Sequence, residues 1–415
     1  MTERRALFIA PATPARAGNG LAMRLGIFQD ALAEVAEVET LVLPVSGPPP
    51  DERFTNAFGA TTLSVSVAGR FDTQFALLSR IADPAERLRQ FRFYGRGSRH
   101  AALSGPVLAE MKHALAGRHY DLAHIGRLYL ADSLGSAPAP RLSLDLDEDD
   151  AWAWRRLAAA QTPDEAAWSA AEAEAEDRLL ARRGPAFAAL FVSGPADAAA
   201  LAERHPGLRF DVVANAIAFP AAPARRDDGA TVLFVGAFGY RPNVEGVLWF
   251  IREVWPGVRA RAAIPPRLLL VGRDPPAELQ ALDAPTDGIE VRGPVDDIAT
   301  AYAAATLAIA PLHAGAGTRL KLIEAAAHGV PLVTTRLAAR GLDCIDAETA
   351  WLADGSTPFA DAVLAALADP ATRRRRAELA RQRAQAAHDR VQVVAGLARV
   401  FADMLQTGDA AQGHR

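Results

Sequence analysis

The chain has 415 residues, of which 50% are hydrophobic and 23% are charged, which is enough for two cores of ordinary domain size. Its formal net charge of −4 argues against a general positive electrostatic potential that would attract nucleic acids. Its single cysteine, Cys344, excludes an internal disulfide. The N-terminal apolar run is too short for a signal peptide, and no run approaches the roughly 20 apolar residues of a membrane span, so we expect a cytoplasmic protein.

Strands and helices are predicted to alternate through the first half of the chain. A strand over residues 6–10 is followed by a Pro- and Gly-rich turn and by a helix from about residue 21 to 35. Later strands are predicted over residues 38–43, 121–125, 141–146, 187–193 and 210–213. Such alternation is typical of an α/β fold with a parallel, doubly wound sheet.

The turn after the first predicted strand contains Gly18 and Gly20. Glycines there either let the backbone approach a ligand closely or only supply a positive φ that the turn needs. Arg24, one turn into the following helix, is a candidate for contact with a phosphate. His124, which ends a later strand, is a candidate for contact with a substrate hydroxyl, and the alternative is a structural histidine.

Five acidic residues lie around the end of the strand predicted over residues 141–146. They are Asp145, Asp147, Glu148, Asp149 and Asp150. Two carboxylates spaced as in Asp145-Leu146-Asp147 can share a hard divalent cation. The alternative is a solvated loop that caps a tryptophan-bearing helix over residues 152–168.

A segment over residues 80–99 mixes basic and aromatic side chains. Its arginines are Arg80, Arg87, Arg89, Arg92, Arg96 and Arg99, and its aromatic residues are Phe91, Phe93 and Tyr94. This mixture suits an anionic lipid surface or a polyanionic ligand, and the alternative is a solvated arginine face.

The most informative stretch is ATLAIAPLHAGAGTRLKLIEAAAHGVP, residues 305–331. A buried strand over residues 307–311 leads into a turn with Gly315 and Gly317, and Thr318 is placed to cap the helix that follows. The N-terminus of such a helix favours an anion.

Charged side chains on that helix complete the pattern. Lys321 lies on the first turn and Glu324 three residues on, so that one can reach phosphate oxygens and the other a sugar diol. Gly329 and Pro331 mark the end of the helix.

The stretch resembles the donor-site motif of GT-B glycosyltransferases of the retaining family GT4, PLxxGxGxRxKxxEAxxxGxPVVxT. The matching residues are Pro311, Leu312, Gly315, Gly317, Arg319, Lys321, Glu324, Ala325, Gly329, Pro331, Val333 and Thr335. Residues 231–258 resemble the opening of that family's second domain in the branch with a YxPN signature, here Tyr240, Pro242 and Asn243. Residues 267–272 and 289–305 resemble the next two strands and the turn that receives the nucleobase.

The resemblance implies a GT-B architecture, with two tandem Rossmann-like domains and a cleft between them. The N-terminal, acceptor-side domain would span residues 1–215 and the nucleotide-sugar-binding domain residues 231–385, joined by a hinge at 216–230. A helix over residues 386–405 would cross back to the first domain, and residues 406–415 would form a frayed tail.

The resemblance also implies roles for individual residues. Lys321 and Arg319, with the N–H groups after Gly317, would neutralise the departing diphosphate, so that no metal or other cofactor is required. Glu324 would hold the ribose, and the backbone near Gly293 and Val295 would meet the base. The remaining donor-side candidates are Gly236, Arg241, Gly315 and Thr318, and His124 is a third catalytic candidate. The acceptor-side candidates are Gly18, Gly20, Arg24 and Asp147.

The implied activity is retaining transfer of a sugar from a nucleoside-diphosphate donor to a hydroxyl of a glycan or lipid-linked acceptor, with no nucleic-acid partner. Peripheral contact with the anionic inner face of a membrane is a further expectation. Two departures stand out: Ala316 replaces the family's first glutamate, and Gly236 is followed by Ala237 and Phe238 where a basic residue is usual. Arg241 and Arg319 are candidate substitutes for that basic residue.

Three other functions are left open. A nucleotide-sugar 2-epimerase of the same fold would use the same diphosphate site, and a non-catalytic nucleotide-sugar-binding protein would need only the binding part of it. A metal-dependent GT-A transferase would use Asp145 and Asp147. An NAD-dependent enzyme is disfavoured, because neither GAFG nor GAG completes GxGxxG after a strand.

Overall fold

The structure is a computed structural model that describes residues 4–45, 49–51, 54, 57–69, 72–133, 139–159, 161–221, 225–315 and 318–406. The chain divides into two compact units. One comprises Met1–Ala214 together with Val391–Arg415, and the other comprises Asn215–Arg390.

The first unit is built on a seven-stranded sheet with the order β3-β2-β1-β4-β5-β6-β7. The strands are β1 (Arg5–Ala10), β2 (Glu37–Val42), β3 (Thr61–Ser64), β4 (Leu122–Ile125), β5 (Leu142–Asp147), β6 (Ala189–Val192) and β7 (Phe210–Val212). Every pairing between them is parallel. Because β1 pairs with both β2 and β4, the direction of winding reverses between β1 and β4.

The helices of this unit are α1 (Gly20–Ala33), α2 (Thr73–Leu78), α3 (Pro84–Tyr94), α4 (Gly105–Ala114), α5 (Asp150–Ala158), α6 (Pro163–Arg183) and α7 (Pro195–Arg204). Helices α5 and α6 occupy the region where one tryptophan-bearing helix was expected, so that expectation is wrong. The chain restarts because Thr162 and Glu165 form a capping box and Pro163 opens α6.

The second unit contains a six-stranded sheet with the order β10-β9-β8-β11-β12-β13. Its strands are β8 (Thr231–Val235), β9 (Arg267–Val271), β10 (Ile289–Arg292), β11 (Leu307–Ala310), β12 (Leu332–Thr334) and β13 (Trp351–Leu352). All of these pairings are parallel, and the winding reverses between β8 and β11. The prediction of two doubly wound parallel sheets is therefore confirmed.

The helices of the second unit begin with α8 (Arg241–Trp249), which a π-helical turn over Phe250–Val254 joins to α9 (Trp255–Arg261). The others are α10 (Ala277–Gln280), α11 (Ile298–Ala304), α12 (Leu320–Ala327), α13 (Arg336–Ala339), α14 (Ser356–Ala368) and α15 (Pro370–His388). The last helix, α16 (Arg390–Gln406), belongs to the first unit from Val391 onward. Among the described residues, no helix combines the length and the apolar composition that crossing a membrane requires.

Each unit has its own core. Phe8, Leu144 and Phe191 are buried in the first, and Phe234, Leu270 and Ile309 in the second. Parallel strands covered by helices on both faces are expected to be apolar throughout, which the fully buried β4 and β11 illustrate.

Candidate functional site

The carboxyl ends of β8 and β11 lie side by side at the point where the second sheet reverses its winding. Ligands of doubly wound sheets bind at this position, because the loops after the two strands diverge and leave a crevice. Gly236 follows β8, and the predicted glycine turn follows β11. The motif that the sequence singled out therefore lies where the topology expects a ligand.

Lys321 is held in place by two neighbours at this edge of the sheet. Its Nζ donates to Asn243 Oδ1 at 2.6 Å and lies 4.3 Å from the centroid of the Phe234 ring. Asn243 is itself fixed, because its Nδ2 donates to the Ala237 carbonyl at 2.7 Å. The ammonium group is thus bound to uncharged partners only, among the contacts that the described residues make.

Burial lowers the pKa of Lys321 to about 7, a fall that Glu324 opposes and Arg319 reinforces. A strongly depressed lysine pKa beside a topological switch point is typical of a functional site. The residue type is also unusual for this chain, since Lys321 and Lys112 are its only lysines among 45 basic residues.

Gly236 makes room for that ammonium group. A Cβ at this position would lie 2.8 Å from both Lys321 Nζ and Asn243 Nδ2, closer than real Cβ contacts occur. Lys321 thus reaches the end of β8 from α12.

Glu324 forms a second polar pair on α12. Tyr302 donates its hydroxyl to Glu324 Oε2 at 3.2 Å, and the Tyr302 ring stacks on His328 with the centroids 4.8 Å apart. Burial raises the pKa of Glu324, while the Tyr302 hydroxyl and Lys321 oppose the rise. Glu324 Oε1 makes no hydrogen bond to the described residues, so one carboxylate oxygen remains available to a hydroxyl-bearing ligand.

The turn between β11 and α12 departs from the prediction in its cap. Thr318 does not cap α12: the N-cap residue is Arg319, without a side-chain hydrogen bond, and Thr318 Oγ1 accepts from Asn215 Nδ2 at 3.0 Å. The Arg319 guanidinium turns back to donate to the Gly315 carbonyl at 2.7 Å. Gly315 has φ +108°, and a Cβ there would lie 2.5 Å from the Tyr240 hydroxyl. Gly317 and Ala316 lie outside the described residues.

The end of α12 follows the prediction. Gly329 has φ +64°, and the Gly329 and Val330 amides donate to the carbonyls of Ala326 and Ala325 at 2.9 and 2.8 Å. This pair of bonds is a Schellman motif, which stops the helix before β12.

Three other donor-side candidates differ in their surroundings. The Arg241 side chain is 88% exposed and pairs with Glu245 at 2.5 Å, so its role as a substitute for the missing basic residue stays a prediction. Gly293 and Val295 follow β10 at the same edge of the sheet as Gly236. A Cβ at Gly293 would meet nothing within 4 Å, so the backbone there is accessible.

In the first unit, the acceptor-side glycines lie at the corresponding switch point, after β1. Gly18 has φ +114°, and Gly20 is the first residue of α1. Asn19 between them caps the helix by accepting from the Ala22 amide at 2.9 Å. The glycine loop is therefore a tight cap at the carboxyl end of β1.

Arg24 does not have the surroundings of a phosphate ligand, and that prediction is wrong. It is 1% exposed, and its guanidinium makes two bonds to Asp145, at 2.7 and 2.6 Å, and one to the Val213 carbonyl at 2.9 Å. A buried, bidentate arginine is already neutralised by its carboxylate.

The acidic cluster is likewise engaged by arginines. Asp147 Oδ2 accepts from Arg127 at 2.9 Å, and Asp150 accepts from Arg127 and Arg99. Asp147 keeps some exposure and has φ +67°, a left-handed conformation that is strained for a non-glycine residue. Within the described ranges, histidine, cysteine and acidic side chains form no group of three that could hold a metal ion.

His124 is wholly buried, which contradicts its predicted contact with a substrate. Its ring stacks on Phe28 at 4.4 Å and packs against Phe8 and Phe401, while Nδ1 bonds to Ser143 Oγ at 2.9 Å. Burial, reinforced by Arg24, lowers its pKa well below the usual value. The side chain is therefore a neutral core histidine.

The sequence reasoning missed three residues that organise the site. Asn243 holds Lys321, Tyr302 holds Glu324, and Asn215 holds Thr318. The YxPN signature contained Asn243 without indicating its partner. No sequence signal pointed to Tyr302 or Asn215, because each bond joins residues far apart in the chain.

Comparison with known proteins gives a family match within the second unit. Residues 229–369 match the family model described as Glycosyl transferases group 1. No curated protein sequence matches the chain.

Solved structures share the fold over nearly the whole chain. Sucrose-phosphate synthase from Thermosynechococcus elongatus is 18% identical with a TM-score of 0.67, covering 97% of this chain and 100% of its own. Anabaena HepE, in complex with UDP-glucose, is 13% identical with a TM-score of 0.63, and the match covers 96% of this chain and 99% of HepE. WaaG, a glycosyltransferase involved in lipopolysaccharide biosynthesis, is 16% identical with a TM-score of 0.62, and the match covers 95% of this chain and 99% of WaaG. At these identities the likeness establishes the two-domain GT-B fold.

Proposed function

We propose that this protein, whose residues 229–369 match the family model of group 1 glycosyltransferases, transfers a sugar from a nucleoside-diphosphate donor to a hydroxyl group with retention of configuration. The observation that carries the proposal is the placement of Lys321. Its ammonium group lies at the switch point of the domain, next to Gly236, and is bound to the uncharged Asn243 side chain.

The chemistry of the donor explains why such a lysine is useful. Negative charge grows on the diphosphate as the bond to the sugar breaks, and a preorganised cation stabilises it most in a water-poor site. Lys321 supplies that cation, and Arg319 supplies a second on the adjoining turn. In retaining transfer on one face of the sugar, a leaving phosphate oxygen takes the proton of the acceptor hydroxyl, so no carboxylate nucleophile is needed.

The remaining donor contacts follow from the same edge of the sheet. Glu324 Oε1 would accept from a ribose hydroxyl, with Tyr302 holding the carboxylate in place. The backbone at Gly293 and Val295 would meet the base. Because the solved structures of HepE contain UDP and UDP-glucose, UDP-glucose is the first donor to test.

The test is turnover of UDP-glucose and of a panel of other nucleotide-sugars by the full chain, with and without glycan acceptors. The two lysines offer a matched pair of variants. Lys321→Ala should lower kcat by about 10²- to 10³-fold, more than it raises the donor KM, because the charge that it opposes grows in the transition state. Lys112→Ala should leave both constants unchanged.

Three outcomes would contradict the proposal. Interconversion of a labelled donor to an epimer without any acceptor would indicate a nucleotide-sugar isomerase. Donor binding without hydrolysis or transfer above background would indicate a non-catalytic binding protein. An unchanged kcat in Lys321→Ala would remove the assigned role of that residue.

A further inference from the structure

A second concave site lies in the first unit, between the end of α3 and the middle of α6. Its volume is about 460 Å³. Four arginines line it, Arg92 and Arg96 from the α3 side and Arg178 and Arg182 from α6. No carboxylate is among the described residues that line this cavity.

The backbone brings these guanidinium groups together. Helix α3 ends at Gly95, whose φ of +66° turns the chain sharply, and a Cβ at this position would lie 3.3 Å from Arg178 Nε. Arg178 and Arg182 are four residues apart on α6, so they share a face of that helix. The arginine cluster is thus built by a helix terminus that packs against an opposing helix.

The ion pairs of the cluster leave one guanidinium group in excess of the carboxylates that it contacts. Arg92 and Arg178 both pair with Glu174, each at a long 3.7 Å. Arg96 pairs with Asp72 at 3.1 Å, and Arg182 with Asp132 at 2.7 Å. Four guanidiniums therefore share three carboxylates, and each guanidinium has five N–H donors.

His100 adds an unsatisfied polar group at the wall of the cavity. The residue is 1% exposed, and among the described residues its ring has one poorly aligned hydrogen bond, to the Gly97 carbonyl. Leaving a buried polar group without a partner is unfavourable, so the ring is suited to a ligand that supplies one. Burial lowers the pKa of His100 to about 4, so its neutral ring offers one N–H donor.

We propose that this cavity binds a phosphate group, as a phosphate ester or a diphosphate. Planar guanidinium groups recognise phosphate oxygens in pairs, and the His100 N–H supplies a further donor from the wall. Phe93 beside the cavity is 81% exposed, which provides an apolar contact for whatever bears the phosphate. The site is separate from the Lys321 site, so it does not depend on the function proposed above.

The test uses the full chain with Lys321→Ala, so that the proposed donor site does not compete for the probe. Calorimetry with inorganic pyrophosphate should detect binding that Arg178→Gln/Arg182→Gln weakens by about a hundredfold, roughly tenfold for each charged donor lost. The matched control Arg209→Gln/Arg399→Gln removes the same charge from exposed sites of the first unit and should leave the affinity unchanged.

A second arm identifies what carries the phosphate. Vesicles of phosphatidylcholine with phosphatidic acid should sediment the protein, in competition with pyrophosphate, if a lipid phosphate is the natural ligand. Pyrophosphate binding without sedimentation would assign a soluble phosphate ester. Absence of binding to both probes, or equal weakening in the two double variants, would overturn the proposal. Hydrolysis of a nucleotide-sugar by the Arg178→Gln/Arg182→Gln chain with Lys321 intact should be unchanged, which keeps the two proposals distinguishable.

Discussion

Lys321 gives the sharpest quantitative prediction, because its pKa of about 7 makes its charge depend on pH in the working range. Lys321 should be charged in about nine-tenths of the molecules at pH 6 and in about one-tenth at pH 8. A bound diphosphate favours the charged form, so the donor association constant should fall by about tenfold per pH unit above the midpoint. Lys321→Met should remove this slope and leave only the titration of the ligand itself.

The same depression predicts a sign for stability. In the unfolded chain the lysine has its ordinary pKa of 10.5, so between about pH 7 and 10.5 the unfolded state binds more protons. Lys321 should therefore make the folded protein more stable, and the free energy of unfolding larger, as the pH rises through this window. Burial lowers the pKa of His313, His328 and His388, so these histidines of the same unit do not titrate there.

Chemical labelling can measure the midpoint directly. The chain has only two lysines, and the exposed Lys112 on α4 provides a reference peptide in the same digest. The rate of amine acylation of Lys321, followed by mass spectrometry against pH, should have its midpoint near 7, and added UDP should raise it. Asn243→Asp places a carboxylate beside Nζ and should raise the midpoint by at least about one unit.

The burial argument would be refuted by a Lys321 profile that coincides with that of Lys112. Restricted access of the reagent lowers the rate of acylation at every pH but does not move the midpoint, so slow labelling alone is no objection. An unchanged midpoint in Asn243→Asp would show that the 2.6 Å contact does not exist in solution.

Three further predictions follow from contacts in the two units. Gly236→Ala should weaken donor binding by about tenfold or more, because its Cβ would displace Lys321, whereas Gly239→Ala, whose Cβ meets nothing within 4 Å, should not. His124→Phe should lower the free energy of unfolding by about 1–3 kcal/mol, because it leaves the buried Ser143 hydroxyl without its partner, and should leave turnover intact; a loss of turnover of about 10²-fold or more would indicate a catalytic role. Arg24→Met should cost about 3–5 kcal/mol in urea unfolding because it leaves Asp145 buried and unpaired, against about 0.5 kcal/mol or less for the exposed Arg209→Met.

The fold could be read from the sequence because its signals are local. Strand predictions in the first half lie within two residues of β1, β2, β4, β5, β6 and β7. Strand β3 was missed, since TTLS is short and only partly buried. The end of α12 was predictable for the same local reason, because Gly329 is suited to the positive φ of a helix C-terminus.

The environment of each charged side chain was not predictable in this way. Arg24 and Asp145 are 121 positions apart, and the pairing depends on how β1 and β5 are placed in one sheet. The aromatic residues around His124 likewise come from four separate elements, including α16. A motif identifies which side chains lie at the carboxyl edge of a sheet, while long-range packing decides whether each one faces a ligand or a partner.

That distinction also determines how the acidic cluster should behave towards metal ions. Both Asp145 oxygens accept bonds from Arg24, and Asp147 accepts from Arg127, so a divalent ion would have to displace buried arginines from its ligands. Neutralisation of the diphosphate by Lys321 and Arg319 requires no such exchange. We therefore predict that turnover survives exhaustive chelation with EDTA, that added Mg²⁺ or Mn²⁺ changes it little, and that Lys321→Ala lowers it by about 10²- to 10³-fold. Three results would together contradict this prediction: turnover is lost on chelation, Mn²⁺ restores it, and Asp147→Asn is inactive while the control Asp211→Asn is active. They would show that a metal ion held by the acidic cluster neutralises the leaving group instead.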